Sequence, residues 1–368
     1  GSPARYSKDN VPLKPKHYLP VSIKGVHKDD FSMIFGFPGT TNRYMTSHGV
    51  DMQIKQSNPA VVKIRDKKLE IMRSYMDADP KIKLQYASKY AQTANYWKYY
   101  IGQTKGLKRW DVYEERKALE DQFTKWVNED DARTKKYGNC LNEIAAGYKN
   151  LEKINLLLQY LNEAVFQGPD YIYFSHGARP LYGALKKQSE EPKSEKAKYD
   201  AAIKNAAAAF EEKLPDFFKD YNKQVDKDQF IALLEMFYND IPEEQHPAIF
   251  KTVEGKKFKG NFKAWGEYVY ANSMFVDETK LRAFLKNPSY QVLSEDPGFV
   301  ISLCMVDSII SLYSDLSAVK EQINNATRLY IDGLRKMQPE QVFYPDANST
   351  MRMTYGTIQD YYPMDAVH

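Results

Sequence analysis

The six histidines, His17, His27, His48, His176, His246 and His368, are scattered, and none sits in an HExxH run or beside a cysteine at ligand spacing. Zinc chemistry is therefore not expected, and the sequence points to no metal and no cofactor. Cys140 and Cys304 are the only cysteines, too few for a disulfide framework or a thiolate cluster. The segment DYNKQVDKDQFI from Asp220 has the outline of a calcium loop. It carries Val225 where the turn glycine belongs and Ile231 where the bidentate glutamate belongs, so the match fails. No GxGxxG, GxxxxGK[ST] or GxSxG occurs, so neither a phosphate cradle nor a strained serine elbow is present in the sequence. Ser175 precedes His176, but neighbours in sequence do not make a nucleophile and its base, and His176 reads as a loop residue. No catalytic residue is assigned within this chain.

One residue stands apart. Asn95, in YAQTANYWKYY, falls inside a helical pattern of Ala, Tyr, Trp and Lys. Asparagine costs roughly 0.5 to 0.7 kcal/mol relative to alanine in a helix interior. Beside it are the small residues Ala91 and Ala94, which let another group come close. Its amide carbonyl could accept a hydrogen bond from an ammonium group. On the pattern alone, a solvated polar residue or a helix–helix hydrogen bond is the favoured reading.

The elements that would position Asn95 follow from periodicity. Asn58-Pro59 opens a helix, and Val61, Val62, Arg65, Leu69, Met72, Tyr75 and Met76 recur at its spacing. Asp79-Pro80 opens the next, expected to stop at Gly102. Asp111 and Glu114 form a capping-box pattern, and Leu141 to Leu161 another amphipathic stripe. Gly168-Pro169 and SEEPKSEK (189–196) read as loops. From Gly298 to Gln338, apolar residues from Ile309 to Met337 step by three and four, the pattern of one long spine helix in an antiparallel bundle or of an intermolecular coiled coil.

The two ends read differently. HYLPVSIKG and DDFSMIFGF look like strands, with Phe31, Met33, Phe35 and Phe37 on one face, and STMRMTYGTI alternates near the other end. Isolated strands are unstable, so the simplest reading joins the ends in one incomplete sheet whose edges need cover. FGFPGTTNRY (35–44) is then the corner where the chain leaves the sheet, and Arg43 and Tyr44 are assigned to that junction. The expected fold is mainly α: a helical-bundle domain at 50–340 inserted between β segments at 1–49 and 341–368.

Bulk properties narrow the classes. The chain has 368 residues, 27% charged, a net charge of +4 and a mean hydropathy of −0.62. That near-balance does not predict a nucleic-acid partner, and no apolar run approaches the roughly 18 to 20 residues of a membrane span. The short basic runs 65–68 and 256–259 are expected to be solvated.

DFSMIFGFPGTTNRYMTSHGV, ASKYAQTANYWKYYIG, YPDANSTMRMTYGTIQDY and YSKDNVPLKPKHYLPVSIKG, in this order except the last, which comes first, resemble the bacterial dipeptidyl peptidases of serine peptidase family 46. The resemblance runs from about residue 3 to the end. It implies an incomplete chymotrypsin-like β-barrel carrying the helical domain as a cap. It implies release of dipeptides from free N-termini by a Ser-His-Asp triad whose members lie outside this chain, leaving the chain inactive alone. It further implies that Asn95 helps hold the substrate's α-ammonium group, that the partner is a peptide with a free N-terminus, and that the location is periplasmic or cell-envelope. A homodimer stays open. The alternative is a free-standing helical interaction or scaffold module, for which the long heptad seam speaks.

Overall fold

The computed structural model describes residues 7–361 and divides the chain into two compact units, 1–43 with 343–368, and 44–342. In the first unit, β1 (Phe31–Gly36) pairs antiparallel with β2 (Arg352–Thr357). Met33 lies opposite Tyr355 and Phe35 opposite Met353, so the two ends of the sequence do meet in one sheet. The corner after β1 is tied to the other end of the chain: Thr41 Oγ1 donates to Asp346 Oδ1 at 2.7 Å, and the Arg43 backbone N–H donates to the same oxygen at 2.8 Å. Arg43 thus takes part in the junction through its backbone. The HYLPVSIKG segment forms no strand; residues 17–25 are exposed coil. Pro20 and Gly25, the latter at φ +75°, interrupt the ladder that the alternation suggests.

The second unit is helical. Its helices, in order, are α1 (Ser47–Met52), α2 (Asn58–Ala78), α3 (Pro80–Arg109), α4 (Val112–Asn128), α5 (Asp131–Tyr137), α6 (Cys140–Tyr160), α7 (Asp170–His176) and α8 (Arg179–Glu190). There follow α9 (Asp200–Glu211), α10 (Leu214–Lys219), α11 (Lys223–Asp240), α12 (Phe250–Glu254), α13 (Phe262–Asn272), α14 (Glu278–Lys286), α15 (Tyr290–Glu295) and α16 (Pro297–Met337). Two wider turns, Gln53–Ser57 and Leu161–Phe166, have π-helical bonding.

A single residue joins α2 to α3. Asp79 is held extended (φ −140°, ψ 115°) by the following proline, and its carboxylate accepts from the Lys81 N–H at 2.8 Å. The helix it starts does not stop at Gly102; α3 runs on to Arg109. One exposed glycine costs only about 1 kcal/mol in a helix, which the flanking turns sustain. Asp111 does precede α4, but in left-handed geometry (φ 46°) and without a side-chain cap, so the capping box is not formed. The SEEPKSEK loop contains a 3-10 turn, Lys193–Tyr199. The failed calcium loop is the start of α11, where Asn222 Oδ1 caps Gln224 and Val225.

The core lies among α6, α7, α8, α9, α11, α13 and α16, around Phe230, Phe237, Trp265, Phe275 and Phe299. The heptad seam of α16 closes within the chain. Ile309, Leu316, Ala326 and Tyr330 are buried, and α16 runs antiparallel to α6. Contact there is close enough that a Cβ on Gly147 would meet Ile323 Cγ1 at 2.5 Å. A smaller cluster packs α2 on α3: Leu69, Met72, Met76 and Tyr86, flanked by Ala94 and Trp97.

Candidate functional site

The packing of α3 on α2 fixes which of its side chains face outward. Tyr86, Tyr90, Ala94 and Trp97 turn toward α2, and Thr93 is buried with its hydroxyl donating to the Lys89 carbonyl at 2.8 Å. Asn95 is left on the exposed side of the helix, and its amide makes no hydrogen bond among the described residues. A helix–helix hydrogen bond, one of the alternatives open from the sequence, is therefore not its role. The next residue, Tyr96, is 46% exposed and lies under the guanidinium of Arg65, whose Cζ is 5.3 Å from the ring centroid.

Arg65 sits on the apolar stripe of α2 and is buried there. The penalty for burying its charge is offset by a forked pair with Glu163: Nε to Oε2 at 2.7 Å and Nη2 to Oε1 at 2.9 Å. Nη2 also donates to Gln167 Oε1 at 3.0 Å. Glu163 comes from the π-helical turn 161–166, whose extra residue per turn changes the phase of the side chains that follow α6. The expectation of a solvated face at 65–68 fails for Arg65 and Lys68. Lys68 is half-buried, donates to the Gln167 carbonyl, and burial lowers its pKa.

Tyr96, Arg65 and Lys68 border a cleft of about 890 Å³ whose lining continues through Asp170 and Tyr173 of α7 to Asp216 and Phe217 of α10. Lys89 of α3 spans its floor, with Nζ 2.6 Å from Asp170 Oδ2 and 3.0 Å from the Asp220 carbonyl. Beneath is Asp226, 1% exposed. Its carboxyl accepts from Tyr270 Oη at 2.8 Å, Tyr221 Oη at 3.1 Å, and the backbone N–H groups of Asp170 and Tyr171 at the start of α7. Burial, reinforced by the charge of Asp170, pushes its pKa up to about 7.

His176 also lines the cleft, in the last turn of α7 rather than in a loop. Burial, with the charge of Arg179, lowers its pKa, and its Nε2 is buried without a partner. Ser175 is committed elsewhere, donating to the Ile172 carbonyl at 3.0 Å. Among the described residues no histidine ring shares a hydrogen bond with a serine hydroxyl, and no cluster of three or more His, Cys, Asp or Glu residues could hold a metal. Cys140 and Cys304 are both free thiols.

Arg65 stands in the apolar pattern of α2, and a charge at a core position of an amphipathic helix is itself a sign of a buried pair. Asp226 carried no such mark, because apart from Tyr221 its partners, Tyr270 and the backbone of Asp170 and Tyr171, lie 44 to 56 positions away.

The arrangement is thus a helical surface presenting polar acceptors and aromatic rings beside a charged cleft. The chain belongs to the Peptidase S46 family, whose model matches residues 1–368. It is 35% identical to dipeptidyl-peptidase 7 of Porphyromonas gingivalis and 33% identical to the Asp/Glu-specific dipeptidyl-peptidase of Flavobacterium psychrophilum. These matches cover 99% and 100% of this chain and 49% of each relative, so the chain spans about half the length of the curated relatives it matches. Its structure is similar to that of Porphyromonas endodontalis DPP11 in complex with the dipeptide Arg-Glu. The TM-score is 0.79 at 28% identity, over 99% of this chain and 50% of that one.

Proposed function

We propose that this chain is the substrate-capping region of a serine-type dipeptidyl peptidase that releases dipeptides from free N-termini. The whole-length family match carries this reading, because every sequence and structural relative named above is a dipeptidyl peptidase. In it, the Asn95 amide oxygen accepts a hydrogen bond from the substrate's α-ammonium group. An exposed amide with no protein partner, on a helix anchored through its opposite face, suits that task. An exopeptidase that counts two residues needs a fixed anchor for the amino terminus, and anchoring orients the scissile carbonyl before attack. The Ser-His-Asp triad is assigned to residues outside these 368, so the chain alone is expected to be inactive. Units 1–49, 50–340 and 341–368 serve as barrel, cap and barrel in this scheme. A periplasmic or cell-envelope location and a homodimer belong to it through family resemblance. The scaffold alternative loses its main support, since the α16 seam is buried against the chain's own helices.

Fluorogenic dipeptidyl substrates test the proposal. The long gene product is expected to hydrolyse them and the 368-residue chain to be inert. In the long form, Asn95→Ala should lower kcat/KM for free-amine peptides by about tenfold to a hundredfold, the loss of one or two hydrogen bonds to a charge. Kinetics indistinguishable from the parent would remove Asn95 from the site.

A further inference from the structure

Five lysines crowd the turn that joins α12 to α13. Lys251, Lys256, Lys257, Lys259 and Lys263 fall within KTVEGKKFKGNFK (251–263), where Glu254 is the only acid. Over the whole chain 52 basic residues are matched by 48 acidic ones, so the imbalance here is local. All five lysines are exposed, and among the described residues none enters an ion pair. Glu254 is taken up by the Tyr238 hydroxyl, and Glu267, one turn further along α13, forms no ion pair with Lys263. Positive charge therefore stands uncompensated at the surface.

The turn that carries it is well fixed. Its base is closed by the Gly260 N–H donating to the Val253 carbonyl at 2.8 Å, and the Lys259 N–H donates to the Gly255 carbonyl at 2.9 Å. Phe258 is buried and packs on Tyr268 of α13, with ring centroids 5.5 Å apart. Lys257 Nζ lies 3.2 Å from the centroid of the same tyrosine ring. Lys259 and Gly260 are both left-handed, at φ +51° and +78°. Glycine or asparagine takes that conformation at lower cost than lysine. No contact of the Lys259 side chain within the described residues offsets the strain, which points to a use for its charge outside the chain.

The backbone N–H groups of Lys259, Gly260 and Asn261 are spent inside the turn, so contact with an anion falls to the ammonium groups. A single-stranded nucleic acid needs stacking rings along a groove, and the one exposed ring here, Tyr268, is already covered by Lys257. A plane of headgroup phosphates asks only for clustered positive charge on an exposed tip. We infer that the 251–263 turn docks the helical unit on a membrane surface bearing anionic headgroups, through Lys251, Lys256, Lys257, Lys259 and Lys263. Phe258 is turned into the core, so the contact is electrostatic and peripheral, without insertion. The inference is independent of the proposed function and uses neither Asn95 nor the cleft beside α3.

Co-sedimentation of the full 368-residue chain with vesicles of equimolar phosphatidylglycerol and phosphatidylcholine tests it, against vesicles of phosphatidylcholine alone. Binding to the anionic vesicles is expected at about 0.01 M salt and its loss at about 1 M, as the Debye length falls from about 30 to 3 Å. Each lysine should contribute about fivefold, so Lys256→Gln, Lys257→Gln and Lys259→Gln together should weaken binding about a hundredfold. The same change at Lys186, Lys187 and Lys193, outside the turn, should weaken it less than about threefold. Lys259→Gly alone should weaken binding about fivefold while the melting temperature stays level or rises, because glycine relieves the left-handed strain. Lys259→Arg should keep the binding. Thermal melting identifies any variant that unfolds, and Lys259→Gly decides the matter if the triple variant does not fold. Equal binding to the uncharged vesicles overturns the inference, as does binding that survives the changes in the turn or salt, or a loss matched by the distant lysines. Tighter binding to a short DNA duplex than to the anionic vesicles overturns it too.

Discussion

Phenylalanine has opposite fates in the two units. Phe230, Phe237 and Phe275 in the helical unit are fully buried, while Phe31, Phe35 and Phe37 at the β end are 64%, 59% and 70% exposed. The difference lies in what each element can enclose. Helices with an apolar stripe shield one another from several directions, so a single contiguous chain closes its own core. Two antiparallel strands satisfy one edge each and leave both faces uncovered. Identical side chains thus stabilise one unit strongly and the other scarcely.

The largest effect expected from this contrast is on Phe237→Ala, which should cost about 3 to 5 kcal/mol in urea unfolding of the helical unit. Phe35→Ala, removing the same ring from the sheet, should change stability by less than about 0.5 kcal/mol. Equal losses would break the comparison. Next comes Glu163→Gln, which keeps the shape but takes the anion from beside buried Arg65; a loss of about 1.5 to 3 kcal/mol is expected from the same measurement.

A third effect, read per pH unit as a slope, concerns Asp226. Its raised pKa of about 7 means the folded chain keeps a proton that the unfolded chain has released. Stability should therefore be fullest below the ordinary carboxyl range and decline as pH rises to about 7, by at most about 1.4 kcal/mol per pH unit. Asp226→Asn removes the titration, so the denaturation midpoint measured between those pH values should lose that slope. An unchanged slope would show that another group carries it.

Much of this organisation was legible in the sequence because it rests on local chemistry. Asp79-Pro80 marks a helix start by capping and φ restriction, and the alternation of β1 and β2 survives as a register pairing Phe35 with Met353. The segment at 17–25 misled because apolar alternation alone does not supply a neighbouring strand. Gly102 misled because a helix interior tolerates one glycine when its neighbours hold. At the candidate site, Asn95 is singled out in the sequence by its residue type alone. The partners of Arg65 lie 98 and 102 positions away, and those of Asp226 are spread from Asp170 to Tyr270. Only tertiary packing brings such groups together.

The one-residue connection at Asp79 sets the angle at which α3 lies along α2, and the packing between the two helices holds that angle. Fifteen residues separate Pro80 from Asn95, a reach of roughly 22 Å along the axis, so a tilt of about 5° at the joint would swing the amide by about 2 Å. That is most of a hydrogen-bond length. The place of the Asn95 amide is thereby set jointly by the backbone angles at Asp79 and by the α2–α3 packing fifteen residues further on.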